Sequence, residues 1–176
     1  MPGLGVVLAR RSALAATAGN CASLSLDLHD QYQRLEQDGQ FRFTPPTHVI
    51  AALDAALAQH AAEGGVAGRG DRYRRNLDVL VRGMRAIGFR TLLSDAVQAP
   101  VIVTFHEPAD PAWSFRAFYA GLVERGFAIY PGKLTVGATF RVGCIGQVFP
   151  ADLERFLSAV RELVAAMGVR DLGGAP

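Results

Sequence analysis

The sequence predicts an α/β chain whose C-terminal part is a small α+β domain. Three observations carry this. Gly5-Val6-Val7-Leu8-Ala9 is a continuous apolar run, the pattern of a strand buried on both faces of a parallel sheet. Two long helical stretches then follow one another between residues 47 and 87. From about residue 88 to 170 the patterns run strand, helix, strand, strand, helix, the order of a small α+β domain.

Arg11 to Ala18 is expected to be a short helix ended by Gly19-Asn20. Ser23 to Gln40 reads as a loop leading into a short helix. The prolines of Phe41-Arg42-Phe43-Thr44-Pro45-Pro46-Thr47 force an extended approach, and Thr47 suits the N-cap of the next helix. In that helix Val49, Ile50, Leu53, Ala56 and Leu57 fall at helical spacing. Gly64-Gly65 interrupts. A second helix carries Tyr73, Leu77, Leu80, Val81, Met84 and Ile87 on one face and arginines on the other, and ends at Gly88.

Val101 to Phe105 is expected as a strand, Phe115 to Val123 as a helix stopping at Gly126, and Phe127 to Tyr130 as a short strand. Phe140, Val142 and Cys144 alternate with Arg141, Gly143 and Ile145, a period of two. The last helix aligns Leu153, Phe156, Leu157, Val160, Leu163, Val164 and Met167, with Asp152 in its first turn, where the helix dipole favours negative charge.

The chain has 176 residues and a formal net charge of +2, too weak a charge to argue for nucleic acid or an anionic membrane. No apolar run approaches a membrane span, and the N-terminus lacks the pattern of a signal peptide. Its two cysteines, Cys21 and Cys144, form no CxxC pattern, so a disulfide framework or zinc site is not expected and a cytoplasmic location fits. The histidines, His29, His48, His60 and His106, show no metal-ligand spacing, and no metal is expected. Lys133 is the single lysine among 18 basic residues, so one side chain alone has the chemistry to form an imine.

The glycines from Gly64 to Gly70 lack the GK[ST] ending of a phosphate loop and follow no strand, so a joint between helices is expected. Arg141 stands inside an otherwise apolar strand. A guanidinium there is expensive to bury unless paired. Either it faces solvent on an edge strand or meets an internal Asp or Glu, or its planar fork takes a ligand carboxylate in two hydrogen bonds. Thr44, beside two prolines, either shapes the turn or faces an anion.

Gly19-Asn20 with Ser23 to Leu28, then Phe41 to Val49, Glu63-Gly64-Gly65-Val66, Tyr130 to Thr135 and Phe140 to Gly146 resemble segments of one family. They look like those of the 2-aminoethylphosphonate–pyruvate transaminases, class V members of the fold-type I pyridoxal-phosphate aminotransferases. The resemblance runs from Pro2 to about Met167, with FTPPTHV and FRVGCIG its most specific parts. It implies pyridoxal 5'-phosphate as cofactor, 2-aminoethylphosphonate and pyruvate as substrates, and a homodimer with active sites at the subunit boundary. It implies that Arg141 binds the substrate carboxylate and that Thr44 reaches the cofactor phosphate of the other subunit.

On the same resemblance, residues 1–46 belong to the large cofactor-binding domain, 47–87 are linking helices, 88–170 form the small domain and 171–176 a tail. The imine-forming lysine would lie just before Pro2-Gly3, upstream of Met1, so no catalytic residue is expected within this chain. Without that lysine the isolated chain is expected to be inactive. A chain beginning near Gly88 is expected to be better behaved than the whole. A non-catalytic binding or assembly protein that kept the small domain, and another class V enzyme such as an alanine–glyoxylate transaminase, remain as alternatives.

Overall fold

The computed structural model describes residues 3–132 and 137–173. They fall into two compact units, residues 1–62 and 63–176.

The first unit holds three helices, α1 (Arg11–Ala15), α2 (Leu28–Asp38) and α3 (Thr47–Ala62). The Asp27 side chain caps α2 by accepting from the Asp30 N–H at 3.1 Å. Gly39, left-handed at φ 72°, closes it, with its N–H on Leu35 O. Thr47, expected as N-cap, is instead the first helical residue of α3, because the prolines before it already supply the extended approach.

The strand expected at Gly5–Ala9 does not form. Those residues are irregular, with Val6 76 % and Leu8 96 % exposed. A β-strand exists only through a hydrogen-bonded neighbour, and the described residues provide none in this unit. None of the three helices buries a residue in its own unit.

The second unit opens with α4 (Gly65–Ile87), begun at the left-handed pair Gly64 and Gly65 and closed by Gly88. It continues with β1 (Ile102–His106), α5 (Phe115–Glu124), β2 (Tyr130–Pro131), β3 (Thr139–Gly143) and α6 (Pro150–Met167). The sheet order is β1-β3-β2, antiparallel throughout. Val103 pairs with Val142 and Phe105 with Phe140, and all four are buried on one face. They join Leu80 and Met84 of α4, Phe118 and Leu122 of α5, and Phe156 and Val160 of α6 in a single core. Phe140 is its aromatic centre, within 5.6 Å of the rings of Phe89, Phe105 and Phe118.

Two glycines set the helix spacing. A Cβ on Gly83 would collide with Leu157, and one on Gly121 with Leu163, so α4 and α5 each lie close against α6. The strand expected over Phe127–Tyr130 shortens to Tyr130–Pro131. The Phe127 N–H is taken by Leu122 O at 2.9 Å, closing α5 past left-handed Gly126. Its ring then packs on Phe156, 5.6 Å away.

Candidate substrate-binding site

The outer face of the sheet carries the polar residues. Arg141 pairs with Thr104 on one side and Tyr130 on the other. β3 is thus the central strand, and Arg141 is not on an edge. Its Nε–H donates to Pro131 O at 3.1 Å, and its Cζ lies 5.9 Å from the centroid of the Tyr130 ring. Neither terminal nitrogen has a hydrogen-bond partner, and Arg141 has no acidic partner, among the described residues. The residues outside that set add no acidic side chain. A half-buried guanidinium with two open donors is suited to an exogenous carboxylate.

Thr44 lies in the first unit, exposed on the extended stretch before α3, and its hydroxyl has no protein partner among the described residues. The stretch is held by Arg42. Its N–H donates to Gln31 Oε1 at 3.2 Å, its Nη1 donates to Leu24 O at 3.1 Å, and its Nη2 lies 3.4 Å from Asp30. Thr44 and Arg141 therefore stand in different units. Lys133 lies outside the described residues.

Sequence reading missed a polar cluster that supports the Arg141 strand. Arg72 and Asn76 are buried, and they stand eight and four residues before Leu80 on α4. Arg72 Nη1 donates to Gly146 O at 2.7 Å and Val148 O at 2.8 Å. Asn76 Nδ2 donates to Cys144 O at 2.9 Å and Val148 O at 2.8 Å. Together they fasten the segment that leaves β3. Glu63 neutralises Arg72 and also accepts from Arg69 Nε at 2.7 Å. Hydrogen bonds from Arg72 and then Arg69 hold its carboxyl down at about 2. The signal was present, since 72, 76, 80 and 84 form one row of an α-helix. Arg72 and Asn76 extend that row in polar form.

Asp27, His29 and Asp30 bring ligand-type atoms within 4.8 Å of one another. Asp27 is already engaged in capping α2, and Asp30 in the contact with Arg42. Among the described residues no helix is long and apolar enough to cross a membrane.

No protein-family model matches the sequence. Individual relatives do. The chain is 54 % identical over 173 residues to a 2-aminoethylphosphonate–pyruvate transaminase of Cupriavidus taiwanensis, covering 98 % of this chain and 46 % of the relative. It is 55 % identical over 169 residues to one of Burkholderia lata, covering 96 % and 46 %. The chain matches the C-terminal part of the 2-aminoethylphosphonate–pyruvate transaminases.

It spans under half the length of those curated transaminases. Solved aminotransferases share its fold. The pyridoxamine–pyruvate aminotransferase of Mesorhizobium loti superposes with a TM-score of 0.76 at 24 % identity, covering 92 % of this chain and 42 % of that one. The ureidoglycine–glyoxylate aminotransferase of Bacillus subtilis gives 0.72 at 18 %, covering 88 % and 40 %. The expected α+β arrangement of the C-terminal part is the observed one, and the fold is that of part of these solved aminotransferases.

Pyridoxal phosphate needs an amine for its aldehyde carbon and hydrogen-bond donors for its phosphate. The described residues include no lysine. Thr44 offers one free hydroxyl to an anion. The described residues therefore fit the phosphate end in part and supply no amine for the aldehyde end.

Proposed function

We propose that this chain is the C-terminal part of a transaminase that moves the amino group of 2-aminoethylphosphonate to pyruvate, giving phosphonoacetaldehyde and alanine. The observation that carries this reading is Arg141, on a central strand with two open guanidinium donors and no acidic partner among the described residues. The names of the relatives supply the reaction. In this reading Arg141 grips the carboxylate of pyruvate and of the alanine formed from it. Its neighbours Thr104 and Tyr130 bound the place where that carboxylate lies.

Pyridoxal 5'-phosphate supplies, when bound, the electron sink that lets the amino group leave one substrate and join the other. Thr44 donates its hydroxyl to the cofactor phosphate of a second subunit, which makes the working form a homodimer. In this reading the imine-forming lysine belongs to the part of the transaminase that this chain does not span. A cytoplasmic location is supported by the two free thiols, Cys21 exposed and Cys144 buried.

The test uses a complete transaminase that carries this chain as its C-terminal part. Arg141→Lys exchanges a fork for a point charge. It should lower kcat/KM for pyruvate by roughly ten- to a hundredfold, about 1.4–3 kcal/mol of transition-state binding. Cofactor absorbance should be unchanged. An intact pyruvate half-reaction would return Arg141 to a structural role. The chain alone should show no turnover, and borohydride reduction with pyridoxal phosphate should leave Lys133 without stoichiometric label.

A further inference from the structure

An arginine presents a carboxylate with two bidentate edges: side-on through Nε and one Nη, or end-on through Nη1 and Nη2. We propose that the Tyr130-Pro131-Gly132 turn positions Arg141 for end-on binding of the substrate carboxylate alone. The proposal deepens the reading of Arg141 as the carboxylate site and rests on it.

Three contacts build the device. Pro131 O accepts from Arg141 Nε at 3.1 Å, which occupies the donor that the side-on edge requires. The Tyr130 ring flanks the guanidinium at 5.9 Å, within reach of a cation–π attraction. Pro131 itself is held in register, opposite Phe140 in the ladder. The Gly132 N–H donates to Thr139 O at 2.6 Å. A Cβ on Gly132 would collide with the backbone and side chain of Thr139, so glycine alone lets the turn lie this close to β3. The peptide that carries the Pro131 carbonyl is held by the ladder at Pro131 and by the Gly132 N–H on Thr139 O, so the carbonyl direction is set by the chain rather than by the ligand. The result is a fork whose Nε corner is fastened and whose far edge is open. Tyr130 and the Pro131 carbonyl are positioning groups acting through Arg141.

The experiment is nitrogen-15 NMR of arginine side chains in the full 176-residue chain, with the Arg141 signal assigned by its loss in Arg141→Lys. The Arg141 Nε–H should exchange with water about tenfold more slowly than an exposed arginine, as a net hydrogen bond of ordinary strength requires. Gly132→Ala should remove that protection while leaving the amide signals of α4, α5 and α6 in place. Titrated formate, the smallest carboxylate probe, should shift the Nη signals before Nε. Tyr130→Leu should keep the Nε protection and broaden the Nη response. An Arg141 Nε–H that exchanges as fast as free arginine overturns the proposal, as does a formate shift that begins at Nε. A protected Nε–H with no formate response at either position would instead count against Arg141 as the carboxylate site. The two failures are therefore distinguishable.

Discussion

Asn76→Ala tests whether the polar row of α4 fastens the segment that leaves β3. Asn76 is fully buried, and its amide donates to Cys144 O and Val148 O. The two acceptors fare differently when it is removed. Val148 O keeps its bond from Arg72, so it loses one net hydrogen bond, about 0.5–1.5 kcal/mol. Cys144 O has no other donor among the described residues and is orphaned, about 1–3 kcal/mol. Against this, Asn76 Oδ1 is itself buried without a partner among the described residues, and deleting it returns roughly 1 kcal/mol. The expected net loss is about 1–3 kcal/mol. Urea unfolding followed by circular dichroism reads it directly. With m near 2 kcal/mol/M, the midpoint should fall by roughly 0.5–1.5 M at unchanged m. A fall below about 0.2 M would mean that the two carbonyls are satisfied without Asn76, and the clasp would be dismissed.

Three further outcomes follow from the same unit. Glu63 has its carboxyl depressed from 4.5 to about 2, so the stability it contributes is complete above 4.5 and is lost as pH falls towards 2; Glu63→Gln should unfold earlier at neutral pH and show a flatter acid limb in thermal melts. Burial pushes the Cys144 thiol up to about 11, whereas Cys21 is exposed, so iodoacetamide at pH 8 should label Cys21 alone until urea opens the core; equal labelling rates in the native chain would contradict that core. Gly83→Ala drives a methyl into Leu157 and should lower stability by about 1–3 kcal/mol, with Leu157→Ala in the same chain recovering part of the loss, as a double-mutant cycle would record.

Much of the second unit was legible because its elements bury a face in one core. The stripe Leu153, Phe156, Leu157, Val160 and Leu163 is buried along α6, and Phe140, Val142 and Cys144 point inward as their alternation required. Arg141 was legible as an oddity, a charge in an apolar strand. Whether it had an internal partner was a question of tertiary neighbours, which spacing does not encode. The strand at Gly5–Ala9 failed for the converse reason. Its apolar run states what it would bury, and pairing depends on strands the unit does not provide. Arg72 and Asn76 were passed over because polar residues on a helix default to the wet face. The expectation for a chain cut near Gly88 also changes. Leu80, Val81 and Met84 belong to the same core as β1 and α6, so such a chain loses part of its interior, and one beginning at Glu63 keeps it.

The clasp between α4 and the residues after β3 also has a kinetic meaning. Arg72 reaches carbonyls 74 and 76 positions further along the chain. Closing a loop of that length precedes any reward from the contact, whereas α5 and its turn assemble from near neighbours. The clasp is therefore expected to form late in folding, a hypothesis that φ-value analysis of Asn76→Ala would test. Weakening it should leave the refolding rate nearly untouched and appear almost wholly as faster unfolding. On that expectation the guanidinium of Arg72 and the amide of Asn76 add to the lifetime of the folded second unit more than to its speed of formation.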